Sequence, residues 1–277
     1  MLADKQQNAE ATDEPAKQAS EAKLSSNLAS RDAFNNARVG FWSSLAYAVL
    51  LIALNISFVI MALQVPATEW QGMEVYARTY RAIAFVPQAI GLVSIPALIV
   101  MIASIHIYAS ESRKLWSLAG LAFGTAYAVL LGSLYFIQVG ILLPALKQGN
   151  WHGLDQYIFA NPRSISWGLD HFAWSLLGVA LLLVAWVFEG DGLRRWIRWL
   201  FVLNGLANIS LIFTFAFDIE VLTLVVAFTS WVIALPITAV LLAIMFRNIS
   251  SQYSESYDLA RYWTLLRPKI LLRSKYL

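Results

Sequence analysis

An acid and an imidazole stand side by side within a long apolar stretch, at Asp170 and His171. Trp167 and Trp174 lie three or four residues away, so on a helix they share a face with this pair. An ionisable residue inside a membrane span is costly and usually faces the bundle interior with a partner. A carboxylate and an imidazole in an aromatic niche suit a proton relay, a cation site or a polar ligand head group. The alternative is a structural ion pair between Asp170 and a loop arginine: Arg78, Arg81 or Arg163.

Further polar side chains lie in other apolar stretches at a similar depth. Counting about 1.5 Å per helical residue places Gln88 and Gln138 about 10 Å from the centres of their spans, on the same side as Asp170. Asn208 falls near the middle of its span. We expect these groups to line one polar pocket that opens to that side. The predicted ligand-binding residues are Asp170, His171, Trp167, Trp174, Gln88, Gln138 and Asn208.

Metal and cofactor chemistry finds little support in the sequence. The chain has three His and no Cys, which excludes thiolate ligands and disulfides. His106 and His171 fall at opposite ends of their spans and cannot ligate one haem. His152 and His171 with Asp155 or Asp170 match no metal-binding spacing. The motifs of phosphate-binding loops, zinc proteases and nucleophile elbows are missing. We therefore predict no metal site and no cofactor.

The composition identifies the elements that must position these residues. Hydrophobic residues make up 59% of the 277 and charged residues 13%, with a mean hydropathy of +0.61. A soluble domain carries about 25% charged residues. We predict an all-α fold, a polytopic membrane helix bundle with six transmembrane helices, because long apolar runs lack the alternation of a membrane barrel. Each of six stretches has the roughly 20 residues that a membrane-spanning helix needs: 41–64, 82–107, 115–144, 165–188, 196–217 and 220–246.

The distribution of Lys and Arg orients this bundle. Of the 20 basic residues, 16 fall in the two termini and the segments that share their side. The opposite loops hold only four. Cytoplasmic segments carry the excess of basic residues, so both termini are predicted to be cytoplasmic and the polar pocket to open outward. The basic residues form no stripe, so nucleic acid is not an expected partner.

The two ends of the chain differ from the six spans in composition. Residues 1–38 are rich in Ala, Gln, Asn, Glu and Lys and have few large apolar residues, which predicts a disordered cytoplasmic tail. Residues 39–247 form the predicted transmembrane domain. The cytoplasmic segment 248–277 mixes aromatic and aliphatic residues with cations. That mixture favours either contact with anionic lipid or packing on the protein's own inner loops.

Small residues recur at four-residue steps in the third span. Such a ridge lets helix backbones approach closely. It serves either packing inside one chain or contact with a second copy or a membrane partner subunit. The predicted helix-packing residues are Gly120, Gly124, Gly132 and Gly140.

Proline positions bear on the shape of two spans. Pro87 and Pro96 lie in the second span and Pro236 in the sixth. A proline frees a backbone carbonyl and bends a helix, which a bundle tolerates where neighbours satisfy that group. Trp231 and Pro236, near the middle of the sixth span, flank either a cavity or an ordinary kink.

Three stretches carry a resemblance to known proteins. They read YFIQVGILLPAL (135–146), NPRSISWGLDHFAWSLLGVA (161–180) and RWIRWLFVLNGLANI (196–210). Together they resemble a diffuse group of six-span bacterial membrane proteins that has no assigned activity. The resemblance implies a place in a bacterial cytoplasmic (inner) membrane. It carries over no functional residue.

Two kinds of function fit these observations. The first is a binding or assembly component that takes a small amphiphile, a membrane lipid or a partner subunit in the outward pocket. The second is a proton- or ion-coupled transporter, or a membrane enzyme, that uses Asp170 and His171. We favour the first, because a single Asp–His pair without other charged residues inside the membrane is weak support for a transport pathway. An enzyme is accordingly the less favoured reading.

Overall fold

The computed structural model describes the backbone of residues 2–65, 69–217 and 219–253. This part of the chain is mostly helical and has no strands. Six of its helices are long and apolar enough to cross a membrane, which confirms the predicted all-α bundle with six spans. These helices indicate a multi-pass membrane protein. The spans are Arg31–Gln64, Ala82–Tyr108, Glu111–Gln148, Ile165–Ala185, Leu193–Thr214 and Val221–Tyr253.

Eight α-helices and two π-helical segments precede residue 235 in the described part of the chain. The π-helical segment Ile137–Leu142 joins α4 to α5, and Ala227–Ala234 continues α8. Helical backbone then runs on from 235 to 253. The α-helices are α1 Leu2–Gln64, α2 Met73–Thr79, α3 Val86–Tyr108, α4 Lys114–Phe136, α5 Leu143–Gln148, α6 Ile165–Ala185, α7 Leu193–Phe217 and α8 Glu220–Val226.

The chain divides into two compact units, Val39–Met245 and Met1–Arg38 with Phe246–Leu277. The first unit nearly coincides with the predicted transmembrane domain. In the second, the backbone is helical over 2–38, where we predicted a disordered tail. Ala, Gln, Glu and Lys are good helix formers, and a lack of large apolar residues argues against tertiary packing rather than against a helix. Residues 254–277 lie outside the described part of the chain, so both readings of the C-terminal segment stay predictions.

The helix α6 is the most buried of the six spans. It packs against α4 on one side and α7 on the other, and α4 packs in turn against α3. The α6–α7 contact depends on two small residues, because a Cβ atom on Gly178 would lie 2.7 Å from the carbonyl oxygen of Gly205. In lipid the hydrophobic effect does not hold helices together, so the van der Waals contacts of closely packed backbones stabilise their association. The helix that carries Asp170 and His171 is thus held from both sides.

The glycine ridge of α4 lies at helix contacts over most of its length. A Cβ on Gly120 would lie 2.5 Å from Val184 of α6, and one on Gly124 3.0 Å from Ile102 of α3. Gly132 faces Ile95 of α3. Gly140 does not continue the ridge, because it is exposed and its nearest neighbour is Phe136 of the preceding turn. The wider π-helical turn that begins at Ile137 changes the residue spacing and takes Gly140 off this face.

Both π-helical segments end shortly before a proline, Pro144 or Pro236. In the second segment the amide of Leu235 bonds the carbonyl of Ser230, five residues back. In the same register the carbonyl of Trp231 would need an N–H from Pro236, which has none. The side chain of Asn55 supplies it instead, donating from Nδ2 to the Trp231 carbonyl at 3.1 Å. This bond ties α1 to the sixth span and stabilises the irregular turn.

Candidate functional site

A cavity of about 1100 Å³ lies among the first, second, third, fourth and sixth spans. It occupies the end of the bundle where the segments 69–81 and 158–160 connect the helices. Its volume is at the upper end of the range for small-molecule sites. Of the seven predicted ligand-binding residues, the structure brings together six on its wall: Asp170, His171, Trp167, Trp174, Gln88 and Gln138.

Asp170 is the carboxylate that lies deep in the cavity wall, with a side chain 8% exposed. Its hydrogen-bond donor is the indole of Trp174, one turn further along α6. Within the described residues, the ion pairs are Arg78 with Glu74 and Arg113 with Glu189. Asp170 therefore does not form the structural ion pair with a loop arginine that was the alternative to a functional role.

His171 presents a defined nitrogen towards the sixth span. Its Nδ1 lies 2.9 Å from the carbonyl oxygen of Trp167, which can only accept, so Nδ1 carries the proton. In the neutral ring Nε2 is then an acceptor, and the hydroxyl of Thr223 lies 3.5 Å from it. Thr223 also lines the cavity. The backbone of α6 thus fixes the tautomer of the imidazole.

Aromatic rings surround the Asp170–His171 pair. The rings of Trp174 and Trp231 lie 4.6 Å apart between centroids with a tilt of 33°. Trp167 lies 4.9 Å from the His171 ring, and Phe159 packs edge-on against both Trp167 and Tyr135. The aromatic side chains of this niche come from three spans and one loop. It presents aromatic faces to whatever the cavity holds.

Gln138 lines the cavity but uses its amide to hold a loop. It is 1% exposed. Its Nε2 donates to the carbonyl of Tyr157 at 2.5 Å, and its Oε1 accepts from the amide of Phe159 at 3.3 Å. Ser166 donates to the same Tyr157 carbonyl at 2.9 Å. Gln138 therefore positions the segment that carries Phe159, and its ligand-binding role stays a prediction.

Gln88 is likewise engaged with backbone. In the amide orientation that satisfies its neighbours, its nitrogen donates to the carbonyls of Ala84 at 2.9 Å and Phe85 at 3.3 Å. These carbonyls belong to the single turn Ala82–Phe85 that leads into α3. Gln88 thus caps the entry of the second span, and its amide oxygen is left as the polar atom that it can offer to the cavity.

Asn208, the seventh predicted residue, lies behind the wall. It is fully buried and does not line the cavity. Its Nδ2 donates to Ser230 at 2.8 Å and to the carbonyl of Asn204 at 2.7 Å, and its Oδ1 accepts the indole N–H of Trp231 at 2.9 Å. Asn208 therefore positions Trp231, which does line the cavity.

The loop residues at the mouth are packed rather than loose. Met73 of α2 shares an apolar cluster with Phe85, Leu142, Leu146 and Ile158. Tyr76 of α2 packs on this cluster and lines the cavity. Burial, with the nearby Tyr80 as a smaller cause, raises the pKa of Tyr76 to about 12. This phenol at the mouth consequently stays neutral and remains a hydrogen-bond donor.

The sequence did not predict some of the residues that line the cavity. Tyr135 lies three residues before Gln138 on the same helix face, a spacing that could have identified it. Thr223 and Phe228 gave no signal, because their helix faces depend on the π-helical turn that follows α8. The segment 69–81 gave none either, because its contribution follows from tertiary packing.

Replacing Gln138 by Leu is expected to loosen the loop at the mouth. The substitution leaves the Phe159 amide and the Tyr157 carbonyl with one partner fewer, at a cost of about 1–3 kcal/mol for a buried group. Amide hydrogen exchange of residues 155–161 should become at least about tenfold faster. Gln148→Leu is the matched control, because Gln148 is an exposed residue at the end of α5. Unchanged exchange at Phe159 in the Gln138 variant would show that the clamp contributes nothing.

Within the part of the chain that the structure describes, no group of three or more acidic or His side chains could hold a metal ion. His106 lies 2.8 Å from the Ser117 hydroxyl and is remote from the cavity lining. Among the described lining residues, the deep part of the cavity offers the Asp170 carboxylate, the His171 imidazole, aromatic faces and apolar walls. Comparisons with protein-family models, curated proteins and solved structures found no match for this chain.

Proposed function

We propose that this protein is a binding component of a membrane, and that it holds a small amphiphile or lipid in the cavity beside Asp170 and His171. The observation that carries the proposal is the cavity itself, about 1100 Å³ of space with few polar groups at one end of a helix bundle. A site of this size that is mostly apolar, with a small number of placed polar groups, is the usual form of a small-molecule site.

The distribution of side chains on the wall supports an amphiphilic ligand. The first span contributes apolar side chains, such as Leu51, Leu54 and Phe58. The polar groups come from α6, from the loops at the mouth and from single residues of the other spans: Asn55, Gln88, Gln138 and Thr223. At about 1.5 Å per residue, Asp170 lies about 8 Å and Trp174 about 14 Å along α6 from its first residue. A ligand that reaches both therefore needs an apolar part as well as a polar head.

The position of the cavity in one half of the bundle favours binding over passage. The lining residues of each span lie in the half nearest the loops 69–81 and 158–160. At the other end of the bundle, Nε of Arg113 donates to Glu189 at 2.7 Å, and the guanidinium of Arg198 lies over the Trp186 ring. A cavity confined to one half of the bundle suits a protein that takes up and presents a ligand on one side.

Orientation and location follow from the sequence. The excess of Lys and Arg on the side of the termini puts the mouth of the cavity on the outer face of the membrane. The resemblance to six-span bacterial proteins favours the cytoplasmic membrane of a bacterium. We therefore propose that the ligand enters from the outer leaflet or from outside the cell.

Filling the cavity tests the proposal. Ala227 and Ala160 line it from the sixth span and from the loop at the mouth, and a Trp at either position would occupy part of the space. The protein purified from membranes is expected to carry about one tightly bound amphiphile per chain in native mass spectrometry. Ala227→Trp and Ala160→Trp should lower its occupancy at least about tenfold, which corresponds to about 1.4 kcal/mol.

The matched control is Ala126→Trp, because Ala126 is an exposed residue of α4 that does not line the cavity. It should keep the occupancy of the unchanged protein. All variants must show the same thermal midpoint, so that a loss of ligand is not a loss of fold. Equal occupancy in the three variants would place any bound amphiphile on the outer surface of the bundle and overturn the proposal.

A further inference from the structure

The chemistry around Asp170 narrows the ligand class, and the inference rests on the function proposed above. We propose that the cavity selects an amphiphile with a cationic head, an amine or a quaternary ammonium group, and that Asp170 is the counter-ion. Four observations of the cavity wall support it.

The first observation is that, among the described residues, no cation forms an ion pair with Asp170. Its donor is the neutral indole of Trp174, and no ion pair among the described residues includes it. A carboxylate at this depth in a membrane is costly unless it is paired. A cationic head in the cavity would supply the charge that the described wall does not.

The second observation is the ring of aromatic faces near this carboxylate. Tyr135, Trp174 and Trp231 line the cavity with Asp170, and Tyr127 packs edge-on against Trp174 with centroids 5.3 Å apart. Trp174 lies one turn after Asp170 on α6 and packs on Trp231. A cation within about 6 Å of a Trp or Tyr face is attracted by the ring, and more strongly where water is excluded. Quaternary ammonium groups are recognised in this way.

The third observation is the state of the neighbouring imidazole. The Nδ1 of His171 donates to the carbonyl of Trp167, and its Nε2 faces Thr223. In this neutral form the ring adds no positive charge and offers an acceptor. A protonated amine head can donate to such an acceptor, whereas a quaternary ammonium head has no N–H and would be held by Asp170 and the aromatic faces. A phosphate or carboxylate head would meet like charge at Asp170.

The fourth observation is the charge of the whole described wall. Besides Asp170, it holds Glu69 and Arg81, both exposed residues of the loop at the mouth. With two carboxylates, one guanidinium and a neutral His171, the wall carries one net negative charge. At the mouth the charges of Glu69 and Arg81 offset each other, and the remaining negative charge is deep at Asp170, which favours a cation beside α6.

Three amphiphiles of equal chain length test this selection on the full-length protein in neutral maltoside detergent. They are dodecyltrimethylammonium, dodecanol and dodecanoate. Binding is followed by ligand occupancy in native mass spectrometry and by the shift of the thermal midpoint. The ammonium compound is expected to bind at least about tenfold more tightly than the other two, since one charge interaction in a dry site exceeds about 1.4 kcal/mol.

Asp170→Asn keeps the shape of the side chain and removes the charge. It should lower the affinity for dodecyltrimethylammonium at least about tenfold and leave the affinity for dodecanol unchanged. Glu111→Gln makes the same change of charge at an exposed residue that does not line the cavity, and it is the matched control. It should leave both affinities unchanged. Trp231→Leu should lower the affinity for dodecyltrimethylammonium about threefold or more, because one aromatic face is lost.

The outcomes separate this inference from the function on which it rests. If all three amphiphiles bind with equal affinity and Asp170→Asn has no effect, the cavity binds amphiphiles but does not select a cation, and the inference is wrong. If none of them binds and Ala227→Trp changes nothing, the proposed function itself fails. A drop of equal size for Glu111→Gln and Asp170→Asn would reduce the effect to net charge and also overturn the inference.

Discussion

Replacing Gly178 by Ala is expected to lower the free energy of unfolding by about 2–3 kcal/mol, because the new Cβ has no room. It would lie 2.7 Å from the carbonyl oxygen of Gly205 and 2.8 Å from the amide nitrogen of Ile209. Both neighbours are backbone atoms, so α6 and α7 would have to move apart. That movement would also disturb the face of α6 that carries Asp170. Unfolding in mixed micelles with rising sodium dodecyl sulfate measures the change.

The matched control for Gly178 is Gly132→Ala on α4. A Cβ there would lie 3.5 Å from Ile95, which is ordinary van der Waals contact. Since Ala favours a helix over Gly by up to about 1 kcal/mol, this variant is expected to be neutral or slightly stabilising. If the two variants unfold at the same detergent fraction, close backbone contact does not hold α6 against α7.

The sequence predicts the number and approximate position of the spans because that information is one-dimensional. A run of about 20 apolar residues has few structural solutions in a bilayer. The helix ends are less well determined. The first span was predicted from residue 41, whereas its helix runs on through the polar residues before it. The change from polar to apolar residues marks where the membrane begins. It does not mark the end of the helix, because a helix can continue into water with polar residues.

The π-helical segments show what composition cannot determine. The stretch 115–144 was predicted as one helix, and the structure divides it at Ile137–Leu142 before a further turn ending at Gln148. The change is in hydrogen-bond register and leaves hydropathy unaffected. The signal that was available is a proline shortly after each segment, Pro144 and Pro236. The sequence indicated a kink or a cavity at Trp231 and Pro236, and the structure has Trp231 on the cavity wall.

The residues of the cavity wall were predicted from their depth in the membrane, measured along each helix axis. The direction in which a side chain points around its helix also decides whether it lines the cavity. Depth brings Asp170, His171 and Gln138 to one level of the bundle, and they also share one wall. The direction in which a side chain points depends on which helices are neighbours, and a single sequence does not reveal this. Asn208 has the right depth but faces Asn204 and Ser230, so it belongs to a packing network instead.

That network predicts a second large effect, at Asn208. Asn208→Leu keeps the approximate volume and removes its hydrogen bonds to Ser230, to Trp231 and to the carbonyl of Asn204. Bonds between helices in a membrane contribute about 0.6–2 kcal/mol each. The indole N–H of Trp231 also loses its acceptor, at about 1–3 kcal/mol for a buried donor. The free energy of unfolding should therefore fall by about 2–4 kcal/mol.

Fluorescence of Trp231 adds a readout that global unfolding does not give. An indole that loses its acceptor at Asn208 is expected to change its emission in the folded state, before any denaturant is added. Asn248→Leu is the matched control, because Asn248 is exposed beyond the buried part of the sixth span. If Asn208→Leu and Asn248→Leu unfold alike and the emission stays the same, Asn208 does not position Trp231. The position of Trp231 would then depend on other contacts, such as its ring contact with Trp174 and the bond from Asn55 to its carbonyl.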